Sequence, residues 1–400
     1  MSKLSIVDYF PFPRAKVVDQ NISQQMRVTI IRVEPDKRFT PRCHVCGEDG
    51  DSVHSIHSRQ VRDLDVASMS SLLDVSYRKV RCLKCIGVRA EQLTFCDAGK
   101  HVTHRLARYI FDLCKMLTVQ EVSEHLAIDK KTVKAIDLAG LEAAHGQTDY
   151  SNLRILAIDE IAVKKGHQYM TVVLDYISGR VVWVGEGRRK ETLDEFFGGM
   201  SAAEKAGIEA VAMDMWEPFI NRVTKHCPQA KIVFDLFHLV KAFGEVIDEV
   251  RRSEYAAATK AKKGVLKGSR YLLLKNDENL SGPQRDQLGE LLKMNETLSA
   301  VYILKDALKA IYAKTTRLAA KRALNLWCRM AESIPHPMMK KYIGRLRFFE
   351  YGILNHCDYP IGTSKLEGVN NKIKVIKRKA YGFHDERYFA LKIIQAFSSN

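Results

Sequence analysis

The strongest constraint on this chain lies between Leu153 and Asp235, where five short apolar runs are set off by turns and helical segments. ILAID, YMTVVLDY and RVVWVGEG follow one another directly, separated by KKGHQ and by the Ser178-Gly179 turn. Three consecutive runs of strand length predict an antiparallel meander. A helix from about Glu191, a strand EAVAMD, a helix PFINRVTKH and a strand AKIVFD come next. Three sequential strands followed by two that alternate with helices predict a mixed α/β sheet.

Each inner strand ends in an acid: Asp159 after ILAI, Asp214 after AVAM and Asp235 after KIVF. Carboxylates at the C-terminal ends of strands face the crevice where α/β proteins bind ligands. Singly, such an aspartate is ordinary turn or N-cap chemistry; three in one domain mark a candidate site. Glu160 should point to the opposite face of the strand from Asp159, which removes it as a ligand.

From DLFHLVKAF to about Cys357 the pattern is helical and basic without a strand signal, broken near Ser281-Gly282-Pro283 and Pro335 to Pro337. It predicts an α-helical insertion over 240–358, in which Trp327 fits a core position better than a base-stacking one. His238, at the start of this stretch, suits a group supporting the acids or an ordinary satisfied histidine.

The last informative stretch is YPIGTSKLEGVNNKIKVIKRKAYGF. Leu366, Val369, Ile373 and Ile376 recur at helical spacing, so one face should pack on the sheet while Glu367, Asn371, Lys374 and Arg378 share an adjacent stripe. An acid beside cations suits metal plus phosphate, with Lys372, Lys374 and Arg378 as phosphate contacts. Ser364 with Glu367 three residues on is equally a capping box.

Toward the N-terminus, Cys43 and Cys46 form one C-x-x-C and Cys82 and Cys85 another, with 35 residues between Cys46 and Cys82. Two such knuckles complete the tetrahedron of a structural zinc site. Gly47 and Gly87 suit the turns, and RVTIIRV and LLDVSYRKVRC read as strands of a small sheet. Cys96, His54 and His57 are possible substitute ligands. From Thr103, Leu106, Ile110, Leu113 and Leu117 define a helix face. Thr118 with Glu121 is a capping box, Ala127 to Asp129 a turn, and Asp129 the cap of a second helix that begins with Lys130, Lys131 and Lys134. Helix, short turn and basic helix are the helix-turn-helix signature, with those lysines placed to meet DNA.

The expected organisation is a multidomain α+β protein: a zinc-binding module over 1–99, a helix-turn-helix over 100–148, and an α/β domain over 149–239 and 359–400 that the helical insertion interrupts. Composition agrees. The excess of 63 Lys and Arg over 47 Asp and Glu, a formal charge of +16, favours a polyanionic partner, nucleic acid first, although a merely basic enzyme has the same balance. No run approaches the roughly 18 to 20 apolar residues that span a bilayer, and MSKLSIVDYFPFPRAKVVDQ lacks the apolar core of a secretory signal. A cytoplasmic protein is expected, whose nine cysteines serve as thiols or metal ligands.

Together ILAIDEIAVKKGHQYMTVVLDYISGRVVWV, AVAMDMW, IVFDLFHLVK and TSKLEGVNNKIKVIKRKAYGF, with the cysteine pairs and the helix-turn-helix, resemble the bacterial insertion-sequence transposases of the L-three family over nearly the whole chain. The resemblance implies a DDE transposase with a ribonuclease-H-like catalytic domain, interrupted by a helical insertion before its last acid. Position by position, it puts the catalytic acids on Asp159, at the end of the first strand, on Asp214 and on Glu367. Asp235, in the recurring D-x-F-H stretch, is the alternative second acid. Two Mg or Mn ions roughly 4 Å apart would activate the attacking oxygen and stabilise the leaving one, with Asp159 bridging them. The implied partners are the element's terminal inverted repeats and target DNA, bound by at least a dimer in the cytoplasm at the nucleoid. A structure-specific nuclease on the same fold and a domesticated DNA-binding regulator are the competing expectations.

Overall fold

The computed structural model describes residues 10, 12–66, 68–164, 168–361 and 364–398. By its internal contacts the chain divides into two compact units, one ending at Ala144 and the other starting at His145.

The first unit opens with five strands: β1 (Ala15–Ser23), β2 (Val28–Pro35), β3 (Ser52–Val66), β4 (Met69–Cys82) and β5 (Gly87–Ala90). They form one sheet in the order β1-β2-β4-β3, with β5 also on β4. Alternation buries one face: Ile31, Val33, Val61, Leu73 and Val75 pack there with Phe10, Phe12 and Phe95. The expected strands are β2 and β4. The long strand β3 was not expected, because its N-terminal half is exposed on both faces and its SVHSIHSRQ carries no apolar alternation.

Three helices follow: α1 (His104–Met116), α2 (Val119–Leu126) and α3 (Lys130–His145). Thr118 and Glu121 make the expected reciprocal cap. Ala127 turns the chain in the left-handed region at φ 51°, and Asp129 Oδ2 accepts the Thr132 N–H at 3.1 Å to open α3. Leu106, Ile110, Cys114, Val122, Leu126 and Val133 make a core of their own. Sheet and helices are nevertheless tied together. Buried Asp63 of β3 accepts from Thr103 Oγ1 at 2.6 Å and from Arg105 Nε at 2.7 Å.

The second unit is built on a sheet of β6 (Ile155–Lys164), β7 (Gln168–Asp175), β8 (Val181–Glu186), β9 (Ala210–Met213) and β10 (Lys231–Phe234). Its order is β10-β9-β6-β7-β8. The first three strands are the antiparallel meander, and β9 and β10 run parallel to β6. The links are α4 (Lys190–Gly198), α5 (Ala202–Ala206) and α6 (Glu217–His226).

Beyond β10 come eight helices and, among the described residues, no strand: α7 (Leu236–Ala257), α8 (Lys260–Leu266), α9 (Arg270–Leu274), α10 (Gly282–Met294), α11 (Glu296–Tyr312), α12 (Arg317–Glu332), α13 (Pro337–Phe348) and α14 (Glu350–Leu354). Last are α15 (Ser364–Lys379) and α16 (Glu386–Phe397).

The two faces of the sheet bury different partners. Leu156, Ile158, Val211, Met213 and Phe234 share a core with α4, α6 and the eight-helix segment. Ala157, Ile161, Val172 and Ala212 face the other way and pack against Leu366, Val369 and Ile373 of α15 and Phe389 and Ile393 of α16. Trp327 is a core residue: it is 1 % exposed and its indole N–H donates to Leu304 O at 2.8 Å. No described helix is long and apolar enough to cross a membrane.

Candidate functional site

Strand register builds the carboxylate site. Ala157 of β6 pairs with Ala212 of β9, and Met213 of β9 pairs with Phe234 of β10. Just past the last pairs, the same offsets bring Asp159, Asp214 and Asp235 to the same end of three neighbouring strands, near enough for the first two to act on the charge of the third. Alternation from Ala157 and Ala212 turns all three toward the face that α15 covers.

Asp159 does not end its strand, contrary to expectation. β6 runs on to Lys164, still paired with β7 after its pairing with β9 stops at Ala157. The acid therefore sits where the sheet divides.

Each aspartate has one carboxylate oxygen held by a nearby backbone N–H. Glu160 N donates to Asp159 at 2.7 Å, Met215 N to Asp214 at 2.6 Å and Phe237 N to Asp235 at 2.7 Å. They differ in access. Asp214 is 45 % exposed, with its second oxygen 3.4 Å from His238 Nδ1. Asp235 is only 9 % exposed and caps α7. Burial pushes the Asp235 carboxyl above its ordinary range, against the Phe237 N–H and His238, with Asp159 and Asp214 adding to the rise.

Glu367 lies exposed in the first turn of α15. The side chain of Ser364, the other half of the expected capping box, lies outside the described residues. One turn beyond Glu367, Asn370 donates from Nδ2 to Asp159 Oδ2 at 2.5 Å. Its amide oxygen is buried without a hydrogen-bond partner. The helical stripe pointed to Asn371, which is exposed; Asn370 was missed because it lies between the packing face and that stripe.

Near the row stand Glu160, set aside above as a ligand, and Arg188, which no sequence pattern singled out. Glu160, on the opposite face from Asp159, has its carboxyl pushed up to about 7, chiefly by burial, with Arg188 opposing and Asp159 and Asp214 reinforcing. The Arg188 guanidinium stands 4.4 Å over the Tyr169 ring and 5.8 Å from that of Trp216, two residues after Asp214. The candidate cations are spread. Lys374 is exposed, and Arg378 Nε donates to Lys374 O at 3.3 Å. Lys372 donates to Ala396 O and stands 4.4 Å over Phe397, at the C-terminal end of α16.

In the first unit, one ligand atom from each of Cys43, Cys46, Cys82 and Cys85 lies within 4.8 Å of the others, a group that could hold a metal ion. Both knuckles turn a backbone N–H onto sulfur: Val45 N to Cys43 Sγ and Cys85 N to Cys82 Sγ, each at 3.4 Å. Gly47, at φ 74°, allows the first turn. Burial opposes the Cys43 thiolate, but the N–H groups of Cys46 and Val45 hold it down at about 6. Cys85 is pushed up to about 12, first by Cys46. Four sulfurs this close cannot all ionise without a cation among them. Cys96 stays outside the group, donating to Lys100 O at 3.3 Å, and His54 and His57 bond to Ser55. On α3, Lys130 and Lys131 are exposed, and Lys134 is partly buried.

Comparison with known proteins shows the family. A family model described as "Transposase" matches residues 156–393, and one described as "Helix-turn-helix domain of transposase family ISL3" matches 91–139. The chain belongs to this transposase family, ISL3. It is 40 % identical to the transposase for insertion sequence element IS1001 of Bordetella parapertussis, over 90 % of this chain and 89 % of that protein. It is 29 % identical to the transposase for insertion sequence element IS1557 of Mycobacterium tuberculosis, over 88 % of this chain and 85 % of that protein. The ISL3 helix-turn-helix match takes in α1, α2 and the start of α3, and the transposase match runs from β6 into α16, across the carboxylate row.

Proposed function

We propose that this ISL3 member binds the terminal inverted repeats of an insertion sequence and catalyses metal-dependent cleavage and strand transfer of its ends. The observation that carries this is the row of Asp159, Asp214 and Asp235, covered by the helix that bears Glu367 and ties Asn370 to Asp159. We read the sheet order, meander first and two parallel strands after, as ribonuclease-H-like, and the eight helices before α15 as an insertion in it. The domain limits at 1–99, 100–148, 149–239, 240–358 and 359–400 belong to the same reading.

Asp159 and Asp214 are the pair that would hold the metal with Glu367. Asp214 is favoured over Asp235 because it adjoins Asp159 directly and is open to solvent, whereas Asp235 is buried as a helix cap. The donor set fits hard divalent cations: carboxylate oxygens, with a buried amide oxygen that lacks a partner beside them. Two Mg ions, or Mn, would neutralise the charge that grows on the phosphoryl oxygens during in-line displacement. The protein's own part is to fix the carboxylates before substrate arrives. The Glu160 and Met215 N–H groups orient Asp159 and Asp214, and Asn370 locks Asp159 from the helix side. Attack by water or a 3′-hydroxyl needs no side-chain nucleophile.

Zinc on Cys43, Cys46, Cys82 and Cys85 would hold the first unit's knuckles as a closed structural site. Lys130, Lys131 and Lys134 at the start of α3 would meet the DNA ends, with Lys374 and Arg378 the phosphate contacts of the second unit and Lys372 a weaker one, since it already serves α16. Two ends must be brought together, which calls for at least a dimer. Incubating the purified protein with Mg and linear DNA carrying the element's ends tests the reading. Joined products support it; cleavage without joining would make it a structure-specific nuclease, and binding alone a regulator.

A further inference from the structure

The sharpest backbone anomaly of the second unit is Tyr381, between α15 and α16. Its φ is 53°, in the left-handed region, and it is 101 % exposed. The helix ends in a Schellman motif: Gly382 N donates to Lys377 O at 2.9 Å and Tyr381 N to Arg378 O at 3.0 Å. Glycine is the residue that this geometry prefers at the position Tyr381 occupies, and here glycine comes one residue later. The strain supports no packing, since the ring lies entirely in water. Phe383 anchors the far side of the turn, stacked 4.5 Å from Phe389 with 18° between the rings. A rigid turn thus holds an aromatic ring outward, directly after Lys377, Arg378 and Lys379.

Strained residues held by their surroundings concentrate at ligand contacts, and an aromatic ring beside cations is the chemistry that stacks on unpaired bases. We propose that Tyr381 is a base-stacking platform that takes an unpaired or unstacked base of the DNA bound along α15. This rests on the transposase reading above. It also carries a ruler: α15 runs twelve residues on from Glu367 to its end at Lys379, about 18 Å at roughly 1.5 Å per residue, and Tyr381 follows two residues later. That is about five base pairs at roughly 3.4 Å each, so the platform meets DNA well away from the cut.

The test uses the full-length protein and duplexes carrying a single unpaired 2-aminopurine, compared with the fully paired duplex. Wild type should prefer the unpaired base and quench its fluorescence. Tyr381→Ala and Tyr381→Gly should lose about tenfold in affinity for the unpaired-base duplex together with the quench, while Tyr381→Phe keeps both. Tyr381→Gly also removes the backbone strain, so its Tm should not fall, which separates lost stacking from lost folding. An unchanged preference and quench in Tyr381→Ala would overturn the proposal, as would a variant that alters only self-association. Mg-dependent cleavage by wild type is scored separately, so a protein that cleaves yet ignores the unpaired base defeats the platform alone.

Discussion

The cysteine group and the carboxylate row solve opposite problems. Cys43, Cys46, Cys82 and Cys85 converge from two knuckles until their sulfurs lie within 4.8 Å, leaving no room for a substrate. Asp159, Asp214 and Asp235 stand apart at three strands, each with one oxygen held by a backbone N–H, with Glu367 exposed on a separate helix. A closed soft-ligand set makes its ion part of the fold; an open hard-ligand set leaves positions for water and phosphate. The difference assigns the first site, on the proposed reading, to stability and the second to chemistry, and each assignment can be broken separately.

The largest effect is expected at the cysteines. Cys82→Ser should unfold the first unit, because structural zinc can supply on the order of 10 kcal/mol of folding free energy. Loss of its circular-dichroism signal and of bound zinc checks this; an unchanged fold would dismiss the site. Next comes Asp214→Asn, which should leave both folding and end binding intact while cleavage falls by about 10³-fold or more, the scale of losing a charge aimed at the transition state. If Asp214→Asn still cut and Asp235→Asn did not, the second ligand would be Asp235, and the buried cap on α7 would be the working acid.

The two sites also differ in how far the sequence reveals them. Spacing alone finds the cysteines, since a knuckle is a local object whose two cysteines stand three positions apart. The acids were found singly, as residues that end apolar runs, but their alignment is a property of register, which no local pattern carries. The meander and the two parallel strands were legible because turn residues separate clean apolar runs. Strand β3 was not, because its exposed half lacks alternation. Asn370 was passed over for Asn371 because a helix-face argument resolves a stripe, not the residue on its border that reaches Asp159. Asp159 looked like a strand end because the apolar run stops there, whereas pairing with β7 carries the strand further.

Asn370 sharpens the comparison at the next level down. A carboxylate on an open site needs outside support to keep its rotamer, and Asn370 is the one side chain among the described residues recorded as bonded to Asp159. Asn370→Ala should weaken Mn binding and cleavage by about 10- to 100-fold, the usual cost of losing a partner that orients a ligand. Asn370→Asp replaces the donor with a second charge beside Asp159 and should be worse still in metal-free protein. Mn titration followed by electron paramagnetic resonance gives a readout independent of turnover. Equal Mn affinity in Asn370→Ala and wild type would reduce the contact to packing.

The smallest effect concerns the pH dependence of stability beside the carboxylate row. Glu160 titrates at about 7 in the folded protein against an ordinary 4.5, mainly because it is buried, with Arg188 pulling down and Asp159 and Asp214 pushing up. Between those two values the folded chain binds more protons than the unfolded one, so this group makes stability fall as pH rises from 4.5 toward 7. Below that window both states are protonated and the penalty is absent. Glu160→Gln should therefore flatten the decline in Tm across the window in divalent-free buffer. A bound dication favours the ionised carboxylate, so added Mn should shrink the wild-type decline while leaving the Gln variant nearly unmoved. The closed cysteine site predicts no such coupling between added Mn and the pH profile of the second unit. A wild-type decline that Glu160→Gln did not alter would move its origin to another group, with Asp235, also raised by burial, the next to replace.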